Sequence, residues 1–236
     1  MSDARKPSKR FLLVKHSQGW DCDRCSEWMR ASEHEAAWCY PADGEAFPDV
    51  EHYAGVIVFG GAGSANDVQH EWVAQELKFI ESCLQHQRAF FGICLGAQML
   101  ARVLGAPVAP HATRLREVGF HLVYPTPESG DFLTHPMPMM QWHSEGFEMP
   151  AGCERIATSD EFPNQAFRQS ASVLGVQFHP EVNPQALALW HERNRGRPFG
   201  VLDTCTRERM MQDALQNDDD ITAWLGATLQ RWTASA

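Results

Sequence analysis

The chain has 236 residues, 44% of them hydrophobic, and a formal net charge of −10 at neutral pH. That length suits one domain of ordinary enzyme size with a buried core, and no apolar stretch is long enough to cross a bilayer. The negative charge argues against general affinity for nucleic acid, whose phosphates demand a basic surface, and seven irregularly spaced cysteines fit a reducing, cytoplasmic setting better than a disulfide framework.

Residues 1–10 are basic and polar and are expected to be frayed, leaving 11–236 as a single domain. Phe11–Val14 is too short for a signal-peptide core and reads as a first strand. Cys22 and Cys25 form a C-x-x-C pair, but no second pair stands at zinc spacing, so two thiols on a helix or loop are expected and no metal site. Gly55–Phe59 and Ala89–Ile93 are further short apolar runs bounded by turn residues, as strands buried on both faces should be. Between them, over 67–87, Val73, Leu77, Ile80 and Leu84 share one helix face, a sufficient crossover between parallel strands. Leu95–Leu104 is another helix, stopped by Gly105 and Pro107. This alternation predicts a three-layer α/β fold around a mostly parallel open sheet.

From Val118 the pattern changes. Val118–Tyr124, Met137–Gln141, Arg155–Thr158, Gln165–Gln169 and Val173–Phe178 predict an antiparallel extension that returns to the main sheet through its last strand. A helical C-terminal extension begins at about 184, with two segments expected. In the second, Ile221, Trp224, Leu225 and Leu229 share a face and Asp218–Asp220 offer a cap.

The stretch F-F-G-I-C-L-G-A-Q-M-L over 90–100 runs strand, sharp turn, helix, with Cys94 at the turn. A thiol there is lifted clear of the sheet and sits at a helix N-terminus, whose N–H groups and dipole favour a thiolate. It has the form of a nucleophile elbow with sulfur in place of oxygen. A cysteine nucleophile needs a base, and the base an orienting acceptor. In Gly175-Val176-Gln177-Phe178-His179-Pro180-Glu181 an imidazole and a carboxylate two residues apart leave the same side of the backbone at a strand end. The developing oxyanion needs amide donors, of which Leu95 N–H is one, and the loop Gly60-Gly61-Ala62-Gly63 after the second strand is the source of the other. His16, closing the first strand, lies where it can approach the same place.

The segments GGAGSAND (60–67), GICLGAQ (92–98), QWHSEGFEMP (141–150), NQAF (164–167) and GVQFHPE (175–181) together resemble the class I glutamine amidotransferases, and most closely stand-alone proteins similar to the glutaminase domain of GMP synthase. The resemblance covers roughly residues 11–183 and implies a flavodoxin-like sheet. It also implies a catalytic triad of Cys94, His179 and Glu181, an oxyanion hole from Gly61 and Leu95, and substrate contacts from Gln98, Gly63, Trp142, His143 and Ser144. No cofactor is implied. Two departures stand out: Ala62 replaces a common proline, which leaves the Gly61 loop less stiff, and His143-Ser144-Glu145 replaces His-x-Asp. Arg193, Arg195 and Arg197 fall outside the motifs, either solvated or in contact with an acidic partner.

The activity implied is hydrolysis of the γ-amide of glutamine through a cysteinyl thioester. No nucleotide loop with an adjacent Lys-Ser/Thr occurs in the sequence, so use of the ammonia in synthesis would need a separate ATP-dependent synthetase subunit. Two alternatives remain open: a γ-glutamyl peptidase or hydrolase acting alone, and a non-catalytic relative that binds a small molecule.

Overall fold

Two-residue alternation in the first strand sends Phe11 and Leu13 into one buried cluster and Leu12 and Val14 into another, so the sheet is covered on both faces. The computed structural model describes residues 9–19, 21–193 and 206–236; Arg195, Arg197 and residues 1–8 of the expected frayed terminus lie outside them.

The strands are β1 (Arg10–Val14), β2 (Glu35–Cys39), β3 (Gly55–Val58), β4 (Ala89–Ile93), β5 (Val108–Pro110), β6 (Glu117–Pro125), β7 (Met137–His143), β8 (Glu145–Phe147), β9 (Glu154–Thr158), β10 (Ala166–Ser170) and β11 (Val173–Val176). The helices are α1 (Arg24–Ala31), α2 (Glu71–Gln85), α3 (Leu95–Val103), α4 (Pro184–Arg193), α5 (Arg207–Gln216) and α6 (Asp218–Ser235). The nine-stranded main sheet runs β2-β1-β3-β4-β11-β10-β9-β6-β7. Pairings from β2 through β4 to β11 are parallel, and those from β11 out to β7 are antiparallel. This is the mostly parallel α/β sheet, with its antiparallel extension, expected from the sequence. β5 and β8 form a separate small ribbon.

One face of the parallel half packs on α1 and α6 through Met29, Ile221, Leu225, Leu229 and Trp232. The other packs on α2 and α3 through Val73, Ile80, Leu95, Met99 and Leu100. A smaller cluster of Val182, Leu187, Met210 and Ala214 seats α4 and α5 against Val118 and Met140 of the antiparallel strands.

Several expectations shift. The buried face of α2 is Val73, Glu76, Phe79, Ile80 and Cys83, with Leu77 and Leu84 only half-buried. Among the described residues three helices rather than two follow residue 183, and Asp218–Asp220 occupy the first turn of α6, where they still suit its dipole, while Asn217 is the cap residue and makes no side-chain capping bond. Cys22 and Cys25 are free thiols, the second buried in α1.

Trp232 is 1% exposed, stands 5.3 Å from Phe11 and 6.3 Å from Phe91 between ring centroids, and donates its indole N–H to Ser172 O at 3.0 Å. It ties the last helix to the middle of the sheet. Trp232→Ala should lower unfolding free energy by about 3–5 kcal/mol, read as a fall in the denaturant midpoint at constant slope.

Candidate active site

Strands β1, β3, β4 and β11 are parallel neighbours, so their carboxyl ends deliver four loops to one rim of the sheet. Ligands of open α/β sheets collect at that edge.

Cys94 follows β4 at φ 50° and ψ −106°, a left-handed backbone that an ordinary residue adopts only at a cost of about 1–3 kcal/mol. The bend is held from both sides: Cys94 N–H donates to Val176 O of β11 at 2.7 Å, and Gln98 N–H donates to Cys94 O at 2.9 Å in the first turn of α3. Gly96 permits the tight bend, because a Cβ there would run into the Val58 carbonyl of β3. The Leu95 N–H, first after the cysteine, takes no hydrogen-bond partner among the described residues.

His179 lies three residues beyond β11, with its N–H donated to Met140 O at 2.7 Å. Its ring Nδ1 stands 2.7 Å from Glu181 Oε1, and both side chains are about 95% buried. Arg24 holds the turn that carries them. Its N–H donates to Glu181 O at 2.8 Å, and its guanidinium donates to Pro180 O at 3.1 Å and Val182 O at 2.5 Å while pairing with Asp218. His179 Nε2 forms no hydrogen bond of normal geometry among the described residues and is the ring nitrogen left for Cys94. Burial opposes a charged ring, but the Glu181 carboxylate and the Cys94 sulfur outweigh it and push the His179 pKa up to about 10.

The loop after β3 closes against the same groups. A Cβ on Gly60 would lie 2.6 Å from His179 Cε1 and 3.3 Å from Cys94 Cβ, so ring and sulfur-bearing carbon flank one glycine. The Gly61 N–H, like that of Leu95, has no partner among the described residues. A cavity of about 460 Å³ opens here, walled by Cys94, His179, Gly60, Gly61, Trp142 and Trp190 among others. Lys15 and Asp23 also reach it, paired at 2.5 Å, with Ser26 Oγ accepting from Lys15 at 3.1 Å.

The structure therefore brings together Cys94, His179, Glu181, Gly61 and Trp142. Gly63, Gln98, His143 and Ser144 do not line this cavity. Gln98 is 3% exposed and spends its amide on Glu145 O (2.9 Å) and Gln177 Oε1 (3.2 Å); Gln177 in turn donates to Cys94 Sγ at 3.6 Å. His143 is buried against Glu117 at 3.0 Å and Gln141 Oε1 at 3.1 Å, and burial holds its pKa below the ordinary value despite Glu117. Arg193 reaches the cavity rim and donates to Gln18 O at 3.3 Å.

Sequence reading missed Glu76, Trp190, Arg24 and the Lys15–Asp23 pair. Glu76 did leave a signal, an acid spaced three from Val73 and four from Ile80 on an apolar stripe.

A thiol at a strained elbow, an oriented imidazole and two unspent amide donors are the parts that acyl transfer through sulfur requires. The chain belongs to the glutamine amidotransferase class-I family, whose profile matches residues 33–189. It is 30% identical over 167 residues to GMP synthase of Porphyromonas gingivalis, a match covering 68% of this chain and 30% of that enzyme. It is 27% identical over 183 residues to gamma-glutamyl peptidase 5 of Arabidopsis thaliana, covering 72% of this chain and 66% of that one. The crystal structure of a glutamine amidotransferase from Thermotoga maritima superposes with a TM-score of 0.88 at 25% identity, over 97% of this chain and 99% of the other.

Because folding raises the His179 pKa, its contribution to stability is complete below the free-imidazole value of 6.5 and is lost as pH climbs through about 10. An NMR titration of the ring should find imidazolium persisting through neutrality. In Glu181→Gln the ring should deprotonate about 1–3 pH units lower.

Proposed function

We propose that the protein hydrolyses γ-glutamyl amides, with glutamine as substrate and ammonia as product, through a thioester on Cys94. The observation that carries this reading is the 2.7 Å His179–Glu181 contact, which leaves His179 Nε2 to serve the neighbouring Cys94.

The Cys94 sulfur adds to the γ-carbonyl carbon, and the oxygen takes up negative charge facing the N–H groups of Gly61 and Leu95. His179 passes its proton to the departing nitrogen, the C–N bond breaks and ammonia leaves. Water then gives a proton to His179 and adds to the thioester, and the C–S bond breaks to release glutamate and restore the sulfur. Glu181 keeps the imidazole oriented and offsets its charge throughout. No cofactor takes part in this sequence. Released ammonia is used by a separate ATP-dependent synthetase subunit, a role supported by the similarity to GMP synthase.

The cavity favours a second reading. About 460 Å³ is within the range of sites for drug-sized ligands, and ammonia makes no use of indole walls. Trp142 and Trp190 meet edge-to-face at 5.6 Å, and Trp190 meets the His179 ring at 5.2 Å. That arrangement suits a larger amine leaving group, as on a γ-glutamyl peptide, and the similarity to gamma-glutamyl peptidase 5 supports it.

The purified chain should release ammonia from glutamine, and Cys94→Ala should reduce that release on the order of 10⁴-fold or more while the fold is retained. Undiminished turnover in Cys94→Ala would refute the nucleophile. Comparing kcat/KM for glutamine and a γ-glutamyl dipeptide side by side separates the two substrates: a higher value for the dipeptide, with no partner added, selects the peptidase reading.

A further inference from the structure

We infer that His16, braced by Glu76, is a positioning residue that sets the orientation of the Gly60–Gly61 peptide and so aims the Gly61 N–H at the developing oxyanion. The inference rests on the proposed role of Gly61 and adds the part that holds it in place.

His16 stands two residues beyond the end of β1, and its side chain is 5% exposed. Nδ1 stands 3.0 Å from Gly60 O, while Nε2 stands 3.0 and 3.2 Å from the two oxygens of Glu76, whose side chain is fully buried in the middle of α2. A carbonyl oxygen only accepts, so Nδ1 carries a hydrogen whether the remaining proton sits on Nε2 or on the carboxyl group. The Gly60 carbonyl thereby sets Nδ1 as a donor, and Glu76 fixes the direction of the ring. A carboxylate with no exposure needs such a partner in return.

The peptide between Gly60 and Gly61 is planar and trans, so its C=O and N–H point in opposite directions. Pinning Gly60 O on His16 turns the Gly61 N–H the other way. Contacts on both glycines confine the segment. A Cβ on Gly60 would meet His179 and Cys94, and a Cβ on Gly61 would meet His16 Cγ and Nδ1 at 2.6 Å. Bare glycines allow this approach, but they leave the peptide free to flip, and Ala62 gives none of a proline's stiffness. A flipped peptide would present its carbonyl oxygen where the Gly61 N–H had pointed, losing a donor and adding repulsion. The hydrogen bond from His16 opposes that flip. The expectation of a loosely held loop, drawn from Ala62, is answered by a restraint from the segment that follows β1.

Two polar replacements separate this role from simple packing. The amide of Asn reaches the position of Nδ1 and keeps the donor to Gly60. The longer Gln reaches the position of Nε2, keeping contact with Glu76 but abandoning Gly60. With glutamine as substrate, His16→Gln should lose about 10²–10³-fold in kcat with KM little changed. His16→Asn should recover at least tenfold of that loss. Equal kcat in the two variants, or an effect confined to KM, overturns the inference. Covalent labelling of Cys94 by a glutamine-like diazoketone keeps the underlying reading separate. If the wild-type chain neither labels nor turns over glutamine, the hydrolase reading itself falls. If wild type turns over and His16→Gln matches it, only the role of His16 falls.

Discussion

Parallel pairing of β11 beside β4 is the contact on which the site depends. Val176 stands opposite Ile93, and one residue further on Cys94 N–H donates to Val176 O at 2.7 Å. That bond joins the end of one strand to the start of the bend after the other. It supports a left-handed cysteine and sets the distance between the sulfur and the His179 turn. The polar network behind it, from Cys94 Sγ through Gln177 to Gln98, fixes the same junction from the helix side. A slip of one residue between β4 and β11 would exchange the buried faces of a whole strand, so packing on both sides of the sheet holds the register.

The strain at Cys94 is carried by structure that surrounds it. Arg24 contributes from α1, Gly96 from α3 and Met140 from the antiparallel strands. Arg24 and Met140 spend polar groups on the His179 turn rather than on their own elements, while Gly96 contributes only the missing side chain that lets α3 approach β3. The charges beside the cavity are arranged similarly: Lys15 is neutralised by Asp23, His16 by Glu76 and His179 by Glu181. Buried charges are tolerated when paired and hydrogen-bonded, and three such pairs at one sheet edge explain how so polar a rim sits on so apolar a core.

Legibility in the sequence varied with how local each feature is. The strands buried on both faces, β1, β3 and β4, announced themselves as apolar runs. β2 did not, because only Cys39 of its five residues is fully buried and an edge strand shows no continuous run. α1 buries Arg24 and Ser26 beside Cys25 and Met29, which breaks the apolar stripe that would have marked it. β5 and β8 span three residues each, too few for any period to show. The resemblance implied substrate contacts from Gln98 and His143; the structure engages both side chains in buried hydrogen bonds, to Gln177 and Glu145 and to Gln141, which sequence does not express.

The chain by itself determined the elbow at residue 94, the paired imidazole and carboxylate at 179 and 181, and the glycine loop at 60–63, because each is a short pattern whose chemistry follows from neighbouring residues. It determined the sheet's class for the same reason, since two-residue and 3.6-residue periods are local. The tertiary structure alone decided that Glu76 braces His16, that Arg24 clamps the His179 turn and that Trp190 walls the cavity beside Trp142. Those partners lie tens to well over a hundred residues apart, and only long-range packing of helices against the sheet brings their side chains within reach.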